Sequence, residues 1–102
     1  MVFYNGVFHV LTGKREEYID QIKKSGLIDE FRRQKGNLYY HVGASLTNND
    51  DIIVCDGWED EESYQKHVDS GAVVIWHNMY HRYVVSCNER EIIQVDETEE
   101  AG

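Results

Sequence analysis

The segment Asp51-Ile52-Ile53-Val54-Cys55-Asp56-Gly57-Trp58 does most to limit what this chain can fold into. Its β-branched centre is apolar at consecutive rather than alternate positions, the pattern of a strand covered on both faces. A polar turn, Thr47-Asn48-Asn49-Asp50, joins it to a preceding strand over Asn37 to Leu46, so the two form a hairpin. Val2 to Leu11 reads as a first strand with the same two-sided character: Val2, Tyr4, Phe8 and Val10 alternate with Phe3, Val7 and Leu11.

Helical patterns fill the gaps between the strands. Tyr18, Ile19 and Ile22 make an apolar stripe over Lys14 to Lys24, and Gly26 ends that helix. Leu27 to Gln34 is a second short helix, stopped by Gly36. Asp60 to Val68 and Gly71 to Tyr80 form a helical pair broken at Asp69-Ser70-Gly71, with Asp60 as cap and Glu61 and Glu62 set against the positive end of the dipole. A last strand runs from Tyr83 to Val95, bent around Asn88-Glu89-Arg90. The order β-α-β-β-α-β describes an α+β, ferredoxin-like antiparallel sheet with the helices on one face.

With 102 residues, the chain supports one core and not two. One domain over 1–95 is expected, followed by an acidic, disordered tail over 96–102. The helices cover one sheet face, which leaves the other apolar face without a roof. Burial is worth about 25 cal/mol per Å², so a second copy stacked sheet to sheet is the expected solution, and a homodimer follows.

A net charge of −9, with basic residues clustered only at Lys23-Lys24 and Arg32-Arg33, excludes nucleic acid and anionic membranes as expected partners. No apolar run approaches the roughly 20 residues of a membrane span, and the N-terminus lacks the pattern of a signal peptide, so a cytoplasmic location is expected. Cys55 and Cys87 read as buried small hydrophobes rather than a disulfide, and neither has the neighbours of a zinc site. Phosphate-loop, nucleophile-elbow and dinucleotide fingerprints are missing.

The chemistry concentrates where the third strand meets the following helix. Gly57-Trp58-Glu59-Asp60 leads into Tyr64, His67 and then Trp76 and His77, so an indole at a strand end faces imidazoles on a helix. Those side chains offer a site but not yet a reaction.

These residues carry a resemblance. The strand entry Gly36-Asn37-Leu38-Tyr39-Tyr40-His41-Val42 and the Gly57-Trp58-Glu59-Asp60 strand end followed by Tyr64 and His67 resemble the antibiotic biosynthesis monooxygenase domain of the dimeric α/β-barrel superfamily, over roughly residues 2 to 95. The resemblance implies a cofactor-independent monooxygenase that oxidises an aromatic or quinol-like molecule with O2. His67 and Trp58 would be catalytic, His67 as proton acceptor because unperturbed imidazole titrates near pH 6.5, with Asn5, His41, Tyr64, Trp76 and His77 at the substrate. Trp58, Tyr64 and Trp76 would be flat walls, and Asn5, His9, His41 or His77 would orient an oxygen, strand parity leaving open which of them faces the helices. No metal or cofactor is implied on this branch. The haem-degrading branch instead places an Asn on the first strand, a Trp on the helix after the third, and an iron-ligating His ten residues beyond. His77 stands ten residues after His67, which puts His67 at the Trp position and Gly6, beside Asn5, at the Asn position. Haem bound by His77 is therefore the alternative, together with an isomerase or a ligand-binding stress-response module on the same fold.

Overall fold

Two glycines with left-handed backbone cut the helical half of the chain into pieces. Gly26 (φ 70°) ends one helix and begins the next, and Gly36 (φ 83°) turns the chain from helix into strand. At Gly36 a Cβ would also overlap the side chain of Ser63, so only glycine fits there. The computed structural model describes residues 1–95. The expected tail over 96–102 lies outside the described residues.

The elements are β1 (Val2–Val10), α1 (Arg15–Ser25), α2 (Leu27–Arg33), β2 (Asn37–Ala44), β3 (Asp51–Trp58), α3 (Glu61–Val68), α4 (Gly71–Tyr83) and β4 (Val84–Gln94). The sheet is antiparallel in the order β2-β3-β1-β4, the ferredoxin-like arrangement that the element order implies. Helix α4 runs three residues past the expected Tyr80, because Tyr83 stacks on Tyr18 of α1 with ring centroids 5.0 Å apart. Asp60 caps α3 as expected, its carboxylate accepting from the Ser63 amide at 2.7 Å.

Register fixes which side chains share a face. Val2 lies opposite Trp58, Tyr4 opposite Asp56 and Phe8 opposite Ile52, and these residues all point toward the helices. There they meet Tyr18, Ile22, Leu27, Phe31, Val73, Trp76 and Met79, which together with Tyr40 make the core. The opposite face carries Phe3, Asn5, Val7, Tyr39, His41, Ile53 and Cys55. It has no cover in the described chain, and Ile53 is 40% exposed against 1% for its neighbour Val54.

Strand β4 departs from simple alternation. Val84 pairs with Val10, Ser86 with His9 and Glu89 with Val7, so two bulges lie between Val84 and Glu89. Their effect is to turn Cys87 as well as Arg90 toward the helical side, where both line the cavity described next.

Candidate active site

A cavity of about 390 Å³ lies between α3, α4 and the helix-facing side of β1, β3 and β4. Its deepest walls are Tyr40, Val54, Asp56 and His67, all buried. Tyr4, Phe8, Tyr64, Val73 and Trp76 form the sides. His77, His81 and Arg90 are exposed and stand at the mouth.

Two buried titratable groups occupy the floor. Asp56 is 2% exposed, and burial pushes its carboxyl up to about 6, against the opposing effect of a hydrogen bond from Trp58. That bond runs from indole Nε1–H to Oδ2 at 2.7 Å. His67 is 7% exposed, and burial first, then the neighbouring His77, lower its pKa to about 4. The imidazole is therefore neutral at pH 7, which corrects the expectation that it titrates near its ordinary value.

The hydrogen-bond network also assigns the tautomer of His67. Gln34, just past the end of α2, donates from Nε2 to Ser70 Oγ at 3.2 Å, which leaves its Oε1 as acceptor. His67 Nδ1 lies 2.7 Å from that oxygen and so carries the proton, making Nε2 the accepting nitrogen. Ser70 Oγ closes the ring by donating to the His67 carbonyl at 2.7 Å. Aromatic rings clamp the imidazole on its remaining sides: Trp58 stacks at 4.5 Å with planes 23° apart, and Phe31 meets it edge-on at 4.7 Å.

Four of the eight sequence-derived site residues, His67, Tyr64, Trp76 and His77, share the cavity; His9 does not line it and is instead held by Asp51, Nδ1 to Oδ1 2.7 Å. Trp58 does not line it. Its ring is fully buried behind His67, and its contribution is to hold the imidazole from one side and the Asp56 carboxylate by its N–H. Asn5 and His41 lie on the other face of the sheet, both across from Cys55. Asn5 there donates to Glu91 at 3.2 Å, and His41 stacks on Tyr39. One-residue alternation put them there, so the expectation that they meet a ligand beside His67 is corrected by register.

Asp56 is the main omission of the sequence reading. Its signal was present, since it shares the parity of Ile52, Val54 and Trp58 and is thus a carboxylate on the core-facing side of a strand. Tyr4 and Tyr40 were missed for the same reason. Burial raises the pKa of the Tyr4, Tyr40 and Tyr64 hydroxyls, so all three stay protonated and available as donors around the carboxylate. Gly6 makes room for Tyr4, whose Oη would sit 2.8 Å from a Cβ at that position.

Residues 1–79 match the model of the antibiotic biosynthesis monooxygenase family. The chain belongs to that family. Solved structures of the same fold include a conserved protein from Methanosarcina mazei, 21% identical over 93% of this chain and 92% of that one, with a TM-score of 0.80. A protein from Shewanella oneidensis is 20% identical over 91% and 92% of the two chains, with a TM-score of 0.75. A variant of SnoaB, a cofactor-independent oxygenase from Streptomyces nogalater, is 12% identical over 94% and 93%, with a TM-score of 0.77. No curated protein matches the sequence. At these identities the likeness shows the fold, and the family membership supports a monooxygenase-type protein.

Both cysteines are free; Cys55 is on the uncovered face and Cys87 on the cavity side. Among the described residues no cluster of His, Cys, Asp or Glu is arranged to hold a metal ion, and no helix is long and apolar enough to cross a membrane. Haem fits poorly here. His77 is an exposed rim residue, and about 390 Å³ lies near the lower bound for small-molecule sites, on the scale of one or two fused rings rather than a macrocycle.

Proposed function

We propose that this protein is a monooxygenase that oxidises a small phenolic or quinol-like molecule with O2 using only its own side chains. The observation that carries the reading is a carboxylate with a raised pKa at the bottom of an apolar, tyrosine-lined cavity. A phenol or hydroquinone becomes reactive toward O2 once it loses a proton, so the protein must remove that proton, hold the resulting anion and keep water out.

Asp56 is the proton acceptor. With a pKa of about 6 it is mostly ionised at pH 7 yet more basic than an ordinary carboxylate, closer to the value a general base needs. Neutral His67 accepts a hydrogen bond at Nε2 and so orients a second hydroxyl on the same ring. The neutral Tyr4 and Tyr64 hydroxyls donate to the substrate oxyanion, and Phe8 and Trp76 flank its ring. The phenolate passes one electron to O2, and recombination at a ring carbon gives a hydroperoxide. Loss of water from that carbon leaves a carbonyl, so hydroquinone plus O2 yields hydroxyquinone plus H2O. One oxygen atom enters the product and the other leaves as water.

The uncovered sheet face supports a second copy of the chain as partner. Phe3, Val7, Tyr39, Ile53 and Ile93 bring apolar surface together there, and a homodimer closed through that face would bury it. Two unpaired cysteines fit a reducing, cytoplasmic setting.

Oxygen uptake with 1,4-dihydroxynaphthalene tests the activity. Consumption well above the spontaneous rate, lost in Asp56→Asn and kept in His41→Ala, is the expected result. Tight binding without oxygen consumption would sink the oxygenase reading and favour a binding module or isomerase.

A further inference from the structure

The floor and the mouth of the cavity differ in charge. Asp56 is the sole carboxylate among its lining residues, and it lies at the deep end, while the mouth holds Arg90 and the imidazoles of His77 and His81. In a chain with 19 acidic and 10 basic residues, a rim that bears a guanidinium and no acid among the described residues is not the average surface.

Arg90 is placed to serve the cavity. It pairs with Gly6 across β4 and β1, and that parity faces the helices. It lines the cavity together with Tyr4, Tyr64 and Tyr80, so the guanidinium belongs to this side of the sheet rather than to the uncovered face. Among the described residues no carboxylate pairs with it: the ion pairs there involve His9, Lys14, Arg15, Lys24 and Lys66. Its flanking acids do not reach it either, since Glu89 and Glu91 have the opposite parity and the latter accepts from Asn5. His77 and His81 stand one turn apart on α4 with ring centroids 6.4 Å apart, adding donors on the same side of the opening.

We propose that the substrate is an aromatic hydroxy acid, entering with its ring toward Asp56 and its carboxylate at the mouth on Arg90. A guanidinium with no acidic partner among the described residues is a planar fork of donors matched to a carboxylate, and at the edge of an apolar cavity that pair is stronger than in open water. An uncharged hydroquinone would use the floor alone and leave Arg90 solvated. The proposal rests on the cavity being the substrate site, but it concerns which member of the substrate class is selected.

The test compares 1,4-dihydroxy-2-naphthoate with its methyl ester, without oxygen, by quenching of tryptophan fluorescence. The acid is expected to bind about tenfold more tightly than the ester, the scale of one charge-assisted pair at a partly exposed site. Arg90→Gln should abolish that preference while leaving the affinity for the ester unchanged, and Arg90→Lys should keep part of it, as charge without the fork. Equal affinity for acid and ester in the native protein overturns the proposal, as does a preference that survives Arg90→Gln or binding of neither ligand. Admitting oxygen separates this from the reaction: acid bound in an Arg90-dependent way but not oxidised would refute the oxygenase activity and leave the anion preference standing.

Discussion

The two faces of β3 make the most instructive contrast in the molecule. Ile52, Val54, Asp56 and Trp58 look toward the helices and are nearly or fully buried, whereas Ile53, Cys55 and Gly57 look the other way, with Ile53 substantially exposed. By composition the two sets are alike, apart from one acid and one indole. Those two polar handles are joined by a hydrogen bond, and they sit on the covered side. A polar group in the covered set costs stability unless it is used, so the acid on the buried face, not the histidine on the open one, marks the site.

The largest effect should come from breaking the covered face. Trp58→Ala removes a fully buried ring, unseats the His67 imidazole and strips Asp56 of its donor, and should cost about 3–5 kcal/mol in urea unfolding. Ile53→Ala on the other face should cost a fraction of that in a dilute single subunit. If a second copy covers the face, its cost will grow with protein concentration, which sedimentation and concentration-dependent melting would reveal.

Next in size is the chemistry. Asp56→Asn keeps the shape of the floor and removes the base, so oxygen consumption should fall by about 10²–10⁴-fold with little loss of fold. Survival of full activity would remove Asp56 from the mechanism.

The pH dependence of stability sharpens the contrast within the floor itself. Asp56 rises on folding from its ordinary 3.8 to about 6, so its stabilising influence is complete below pH 3.8 and is lost as pH climbs through 6. His67 falls from 6.5 to about 4, so its influence is complete above pH 6.5 and is lost as pH drops through 4. Between those limits the slopes oppose and nearly cancel. Asp56→Asn should expose a stability that increases with pH over that window, and His67→Gln one that decreases, each on the order of 2 kcal/mol by urea titration at several pH values.

The smallest effects belong to the open face. Asn5→Ala and His41→Ala should change the affinity for 1,4-dihydroxynaphthalene by less than about twofold, because a sheet separates them from the cavity. A larger loss would mean that the ligand uses both faces.

Much of the fold was readable in the chain. Gly26 and Gly36 set helix ends, Asp60 announced its cap, and the hairpin around Thr47 to Asp50 joined its strands as expected. The site was half readable. Tyr64, His67, Trp76 and His77 follow from helical spacing within one stretch of chain, but the facing of a strand residue depends on which side the helices choose. With both faces apolar, nothing local decides that for Asn5 or His41. The behaviour of His67 was hidden for another reason: Gln34, which fixes its tautomer, is 33 residues away in sequence. Its low pKa comes first from burial, to which Phe31 of α2 contributes from well outside that stretch of chain, and then from His77.

The paired irregularities in β4 give the spacing between Val84 and Arg90 a significance of its own. Two extra residues restore the original parity after a detour that admits Cys87, whereas losing one of them would hand the guanidinium to the far side of the sheet. A relative with a single-residue deletion in this stretch could keep every cavity side chain in name and still lose its grip on anions, so the arithmetic of one edge strand, as much as any residue identity, would separate one ligand preference from another.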